Sequence, residues 1–191
     1  MRLVFALALT LIVSGCGDDV KEPPPPQSRQ GATTRTVAEI ISNLTLPAKL
    51  DTLKGDRATN PRLRKACYWL MQSDNPEEVI ESAIANTPRG NLTKDSLRRN
   101  LKILAALGCF TEENMTRLRS GKSPVITRGP YAGEKAEVDH IAPVAKAPAF
   151  RNWIGNLEFM PQTLNRAKGD RLTERAASHL QKLNLARELS P

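Results

Sequence analysis

The chain has 191 residues, with 28 Lys and Arg against 20 Asp and Glu, a net charge of +8 at pH 7, and only two histidines and three cysteines. That length suits one or two domains, and the absence of any Cys-x-x-C pair argues against a cysteine-built zinc site. The positive excess is spread evenly, 14 basic against 10 acidic residues over 31–120 and 11 against 7 over 121–191, which is compatible with a polyanionic partner without demanding one.

The first stretch, "MRLVFALALTLIVSGC", reads as a targeting segment: Arg2 is a short positive start, Leu3 to Val13 are almost continuously apolar, and Ser14 and Gly15 are small. The run is too short to span a membrane comfortably, which takes about 20 apolar residues. "VSGC" resembles the lipobox of bacterial lipoproteins. The resemblance implies a signal peptide over 1–15, cleavage before Cys16 and lipid attachment at Cys16. An ordinary secretory signal or an uncleaved anchor is the alternative, and either route takes the protein out of the cytoplasm. With Gly17 rather than Asp after Cys16, resemblance to known sorting signals leans towards the outer membrane over the outer face of the inner one. Residues 16–34, "CGDDVKEPPPPQSRQGATT", hold four consecutive prolines and almost no apolar side chain, and are expected to form a disordered tether on the periplasmic side. Lipidation leaves Cys67 and Cys109. In an oxidising envelope compartment such a pair often forms a disulfide, the alternative being two buried, unpaired thiols.

Residues 35–121 are expected to form a small helical domain. Val37, Ile40, Ile41 and Leu44 fall on one helical face, and Leu63, Ala66, Cys67, Leu70 and Met71 follow i, i+3, i+4, i+7, i+8 after the start signal Asn60-Pro61. Val79, Ile80, Ala83 and Ile84 make a third stripe after Asn75-Pro76. Leu97, Leu101, Leu104 and Leu107 make a fourth, with Thr93 as cap and Gly108 as stop, and a short helix follows Thr111 and ends near Gly121. These stripes suit a modest core rather than a cofactor site.

Over 122–191 the pattern changes to Gly, Pro and β-branched residues. In "AEVDHI" Ala136, Val138 and His140 alternate with Glu137, Asp139 and Ile141, as on a strand, and "GNLEFMP" offers a second short strand. A helix begins near Thr163, breaks and recaps at Gly169-Asp170, and continues on Leu172, Ala176, Leu180 and Leu183. The fold class expected is therefore α+β, a helical N-terminal domain packed with a C-terminal strand–strand–helix unit.

The residues that carry chemistry in that unit are Asp139, His140, Asn156 and Asn165. Neighbours on a strand point to opposite faces, but a helix laid across both strands can bring Asn165 near Asp139. Two oxygen ligands with positions left for water and substrate suit a hard cation such as Mg²⁺, and a histidine beside it can take a proton from water. "EVDHIAP" followed by "GNLEFMPQTLNRAKGD" resembles the HNH nuclease motif, a ββα-metal fold. The resemblance implies His140 as general base, Asp139 and Asn165 as metal ligands, and Asn156 as the residue that orients the histidine. Where some relatives place a further metal-binding His one turn after the last ligand, this chain has Gly169, which favours Mg²⁺ or Mn²⁺ over zinc. It also lacks the paired Cys-x-x-C staples of many relatives, so packing against the helical domain must stand in for them. The implied activity is a metal-dependent endonuclease that hydrolyses phosphodiester bonds of DNA outside the cytoplasm and leaves 5′-phosphate and 3′-hydroxyl ends. The alternative is a noncatalytic lipoprotein that binds DNA or a protein through the same unit. Arg166, Lys168, Arg171 and Arg175 are placed to hold phosphates, a solvated helix face being an equal explanation. Arg128 and Tyr131 are candidates for the cleft or for a turn. His179, Trp69 and Trp153 read as packing residues.

Overall fold

In the computed structural model, which describes residues 60–190, helix α1 (Asn60–Met71) buries Leu63, Ala66, Cys67 and Leu70 on one stripe at i, i+3, i+4, i+7. Helix α2 (Pro76–Ala83) starts at Asn75, whose side chain accepts from Glu78 N at 3.2 Å, and it buries Ile80, with Ile84 buried just past its end. Helix α3 (Pro88–Ala106) begins well before the expected cap at Thr93. Thr87 caps it by accepting from Gly90 N at 3.0 Å, and Thr93 lies inside the helix with its hydroxyl donating to Arg89 O at 3.2 Å. Pro88 decides this start: at the first helical position its fixed φ suits the turn and its missing N–H has no partner to lose. The helix stops as expected at Gly108 (φ 69°), where Cys109 N reaches back to Leu104 O at 2.8 Å. Helix α4 (Glu112–Arg119) is capped by Thr111, with acids in its first turn and arginines in its last, matching its dipole.

Strands β1 (Ala136–His140) and β2 (Leu157–Pro161) pair antiparallel, with Ala136 opposite Pro161, Val138 opposite Phe159 and His140 opposite Leu157. Two 3₁₀ turns, Pro148–Phe150 and Ile154–Asn156, shape the connection between them. Helix α5 (Gln162–Lys168) follows β2 directly and ends at Gly169, whose φ of 56° and ψ of −136° suit only glycine. Helix α6 (Glu174–Glu188) restarts behind Thr173, whose side chain accepts from Ala176 N at 3.2 Å. The expected break at Gly169-Asp170 therefore separates two helices. Leu172, expected on the continuing stripe, lies in the connection and is 44 % exposed.

A two-stranded sheet is marginal by itself in water, and here helix α3 completes it. Asn100 is fully buried. It accepts from Phe159 N at 2.7 Å and donates to Leu157 O at 3.0 Å, so one side-chain amide pairs with the outer edge of β2. Ser96 adds a bond to the same Leu157 carbonyl at 3.0 Å. Two other buried asparagines do similar work. Asn114 pairs with both the N–H and the carbonyl of Val125 at 2.7 Å, and Asn156 pairs with both groups of Ala142.

One main hydrophobic cluster joins helices and strands: Leu63, Leu70, Ile80, Leu97, Leu104 and Leu118 pack with Val138, Ile154, Leu157 and Phe159. Each such side chain contributes about 1.5–3 kcal/mol by leaving water. A second cluster, with Phe150 and Trp153 edge to face at 5.0 Å and Leu183 and Ala186 of α6, packs the β1–β2 connection against that helix. The chain is thus α+β, helices around a small antiparallel sheet, and the described residues all fall in one compact unit. Among the described residues no helix is long and apolar enough to cross a membrane. The expected signal peptide, the expected lipidation at Cys16, the expected tether and the stripe from Val37 to Leu44 lie outside the described residues.

The bridge expected between Cys67 and Cys109 is not made. Both thiols are free and fully buried in the main cluster. Cys67 faces the core stripe of α1, whereas the thiol of Cys109 turns to the carbonyls of Val125 at 3.8 Å and Leu107 at 3.9 Å. Burial pushes the Cys67 thiol up to about 12 and the Cys109 thiol up to about 11.

Candidate functional site

The strand register sorts the site residues. Residues directly opposite share a face, so Glu137 and Asp139 of β1 lie with Met160 and Glu158 of β2 on one face. Val138, Leu157 and Phe159 lie on the other, in the core. Three carboxylates therefore meet on one small surface, and each is matched by a polar side chain from a helix.

Helix α5 supplies two of the matches. Its N-terminus is tied down by Glu134, which accepts from Thr163 N at 2.9 Å and from the Thr163 hydroxyl at 2.7 Å; these bonds hold its carboxyl below the usual carboxylate range. From that anchor the helix runs along β1. Asn165 donates to Glu137 Oε2 at 2.9 Å and Gln162 donates to Glu137 Oε1 at 3.0 Å. One turn later Lys168 places its ammonium on both the Asp139 carboxylate and the His140 carbonyl. The helix does cross the strands as expected, yet Asn165 meets Glu137, and Asp139 is met by Lys168. The reason is periodic: residues three apart share a helix face and residues two apart share a strand face, so Asn165 and Lys168 face Glu137 and Asp139 in turn.

His140 ends β1. Its Nε2 lies 2.8 Å from Arg151 O; a carbonyl only accepts, so Nε2 donates, and Nδ1 is the nitrogen that can accept in the neutral ring. Asn156, expected to orient this histidine, acts one step removed. Fully buried, it accepts from Ala142 N at 2.8 Å and donates to the carbonyls of Ala142 at 3.0 Å and Phe150 at 3.4 Å. These bonds close the connection that begins just after His140 and presents the Arg151 carbonyl to it.

The basic residues separate into different situations. Arg166 is exposed on α5, near enough to Glu134 to lower its pKa further. Lys168 is turned inward, as described. Arg171 folds over the end of α5, bonding to the Lys168 carbonyl at 3.1 Å and to the Ala167 carbonyl. Arg175, on α6, forks onto Glu158 at 2.8 and 2.5 Å, opposite a carboxylate only 3 % exposed. Arg128 is exposed, while Tyr131 packs against the core. Trp153 is buried and Trp69 half-buried, as packing residues would be. His179 donates from Nε2 to Gly155 O at 2.9 Å. Burial first, then the neighbouring Arg99 and Arg175, hold its pKa below the ordinary histidine value against the raising effect of that bond and of Glu158.

Glu137, Glu158 and the Arg151 carbonyl are parts of this surface that motif reading passed over. Glu137 was within reach of the sequence, since a residue two before Asp139 on a strand shares its face. Among the described residues no group of three or more His, Cys, Asp or Glu converges as a ligand set. The oxygens of Asp139 and of the His140 carbonyl do converge on a cation, the Lys168 ammonium, so the donors suit a hard ion by chemistry. A divalent ion held there by Asp139 and Asn165 requires that ammonium to withdraw and the Asn165 amide to turn from Glu137. Compared with protein-family models, with curated proteins and with solved structures, the chain finds no match in any of the three.

Proposed function

We propose that the chain is a metal-dependent endonuclease of the HNH kind, hydrolysing phosphodiester bonds of DNA, with His140 as its general base. The observation that carries this reading is the placement of His140: its Nε2–H is held by the Arg151 carbonyl, so in the neutral ring Nδ1 is the acceptor for a water proton. Asn156 positions that carbonyl by pinning the connection on either side of the histidine's reach, at Ala142 and Phe150. Asp139 and Asn165 are the side chains that would hold Mg²⁺ or Mn²⁺. When bound, such an ion supplies charge stabilisation at the phosphate. Arg166, exposed beside the site, and Arg175 hold the backbone without reading bases. The segment before the described residues fits lipid anchoring at Cys16, which places the activity in the cell envelope. Replacing Cys16 with Ser is expected to release the protein from membranes, and unchanged retention refutes the anchor.

One specific observation favours a second reading, a noncatalytic module that binds DNA or protein. The Lys168 ammonium neutralises Asp139, the carboxylate a metal would need. Plasmid nicking separates the two. The full-length chain is expected to nick supercoiled DNA with Mg²⁺, to stop with EDTA, and to lose cleavage but keep DNA binding as His140→Ala. A His140→Ala protein that cuts as well as the parent ends the catalytic assignment, and EDTA-insensitive cleavage ends the metal assignment. RNA tested alongside identifies the preferred substrate.

A further inference from the structure

Helices α3 and α6 flank a cavity of about 240 Å³ lined by Arg99, Ile141, Arg175, Ser178, His179 and Lys182. Ile141 is the residue after His140, so this cavity opens beside the proposed site but is built from different side chains. Its cations are arranged rather than loosely displayed. Glu158, buried behind them, takes the fork of Arg175 and lies 3.8 Å from Arg99 Nε. Arg99 is further fixed by its Nη2, which donates to Leu157 O at 3.3 Å. One carboxylate against two guanidiniums and the Lys182 ammonium leaves an excess of two positive charges at a concave wall. Arg99 Nε is buried and has no hydrogen-bond partner among the described residues, and burial lowers the arginine's pKa more than Glu158 raises it. An anion in the cavity would relieve that desolvation.

We infer that this cavity between α3 and α6 is a binding site for a backbone phosphate of nucleic acid, next to the cleavage site. Two observations favour a polymer over a membrane surface. The wall is concave and half-buried, whereas lipid headgroups are met by basic clusters spread on an open face. The fork of Arg175 is held in place before any ligand arrives, which suits a group of fixed geometry. The identity of the ligand as nucleic acid rests on the nuclease reading; the anion site itself rests on the cavity.

The test is DNA binding by the full-length chain without metal, read as fluorescence anisotropy of a labelled duplex across a salt series. Lys182 and Ser178 are exposed, so Lys182→Glu and Ser178→Glu put a negative charge at the cavity without removing the Arg99 and Arg175 contacts to Glu158. Arg119→Glu, on the exposed last turn of α4, makes the same net change as Lys182→Glu far along the chain. Lys182→Glu is expected to weaken binding about fivefold or more and to reduce the salt slope by about one to two. Ser178→Glu should act in the same direction and Arg119→Glu should do little. Loss no greater than that of Arg119→Glu overturns the inference. So does a Lys182→Glu protein that loses binding to anionic phospholipid vesicles while its DNA affinity is intact. A chain that binds DNA through the cavity but never cuts it sinks the nuclease reading and leaves the phosphate site standing. A chain that cuts DNA with Lys182→Glu binding unimpaired does the reverse.

Discussion

The ammonium of Lys168 rests on the carboxylate of Asp139, with both side chains largely sheltered, 16 % and 19 % exposed. An ion pair so placed is screened less than one on the open surface, and it competes with any other cation for the same oxygens.

Removing that competitor should therefore tighten metal binding. Lys168→Met keeps the packing of the stem and is expected to lower the Mn²⁺ dissociation constant by about three- to tenfold, the equivalent of roughly 1 kcal/mol for a modest ion pair. Isothermal titration of the full-length chain measures this without any substrate. An unchanged or weaker affinity places the ion elsewhere, or nowhere.

Asn156 acts on His140 through the connection, so its loss should couple stability to activity. Asn156→Ala strands the N–H and the carbonyl of Ala142 in a buried setting, at a cost of about 2–4 kcal/mol. Denaturant unfolding should show that loss, and cleavage should fall further than the folded fraction does. Activity that simply follows the folded fraction would make Asn156 a stability residue alone.

The edge of β2 offers a test of how the sheet is completed. Asn100→Leu leaves Phe159 N and Leu157 O without the amide that now pairs with them, and is expected to destabilise by about 2–4 kcal/mol. Chemical denaturation at constant m-value is the measurement. A change below about 0.5 kcal/mol would mean that the strand edge finds water or another partner.

The buried cysteines give a pH prediction. Both thiol pKa values are raised in the folded chain, so near pH 8 both are protonated and should react with a thiol reagent only as fast as the protein opens. Since the folded values lie above the unfolded one, stability is complete below about pH 8.5 and falls as the pH rises from there towards 11 and 12. Rapid labelling of the native chain at pH 8 would contradict the buried state, and failure of the unfolded, unreduced chain to label would reveal a disulfide.

Much of the fold was legible because its signals are local. The stripe from Leu63 to Leu70, the stops at Gly108 and Gly169 and the alternation of β1 each depend on residues within a turn or two. Thr93 misled because hydroxyl residues cap many starts. Thr87-Pro88 outranked it, proline being nearly confined to the first turn.

The sequence by itself determined the α+β class, the order of strands and helices, and which face of β1 each residue would take, since periods of 3.6 and 2 follow from backbone geometry alone. Only the tertiary structure decided who meets whom across those faces. Asn165 met Glu137 and Lys168 met Asp139 because helix and strand advance by different steps and α5 is anchored at Glu134. Asn156 went to Ala142 and Phe150 while His140 took the Arg151 carbonyl, and Arg99 joined Arg175 across buried Glu158. Such contacts link residues far apart in the chain, and their register is set by the packing of whole elements rather than by any short stretch of residues.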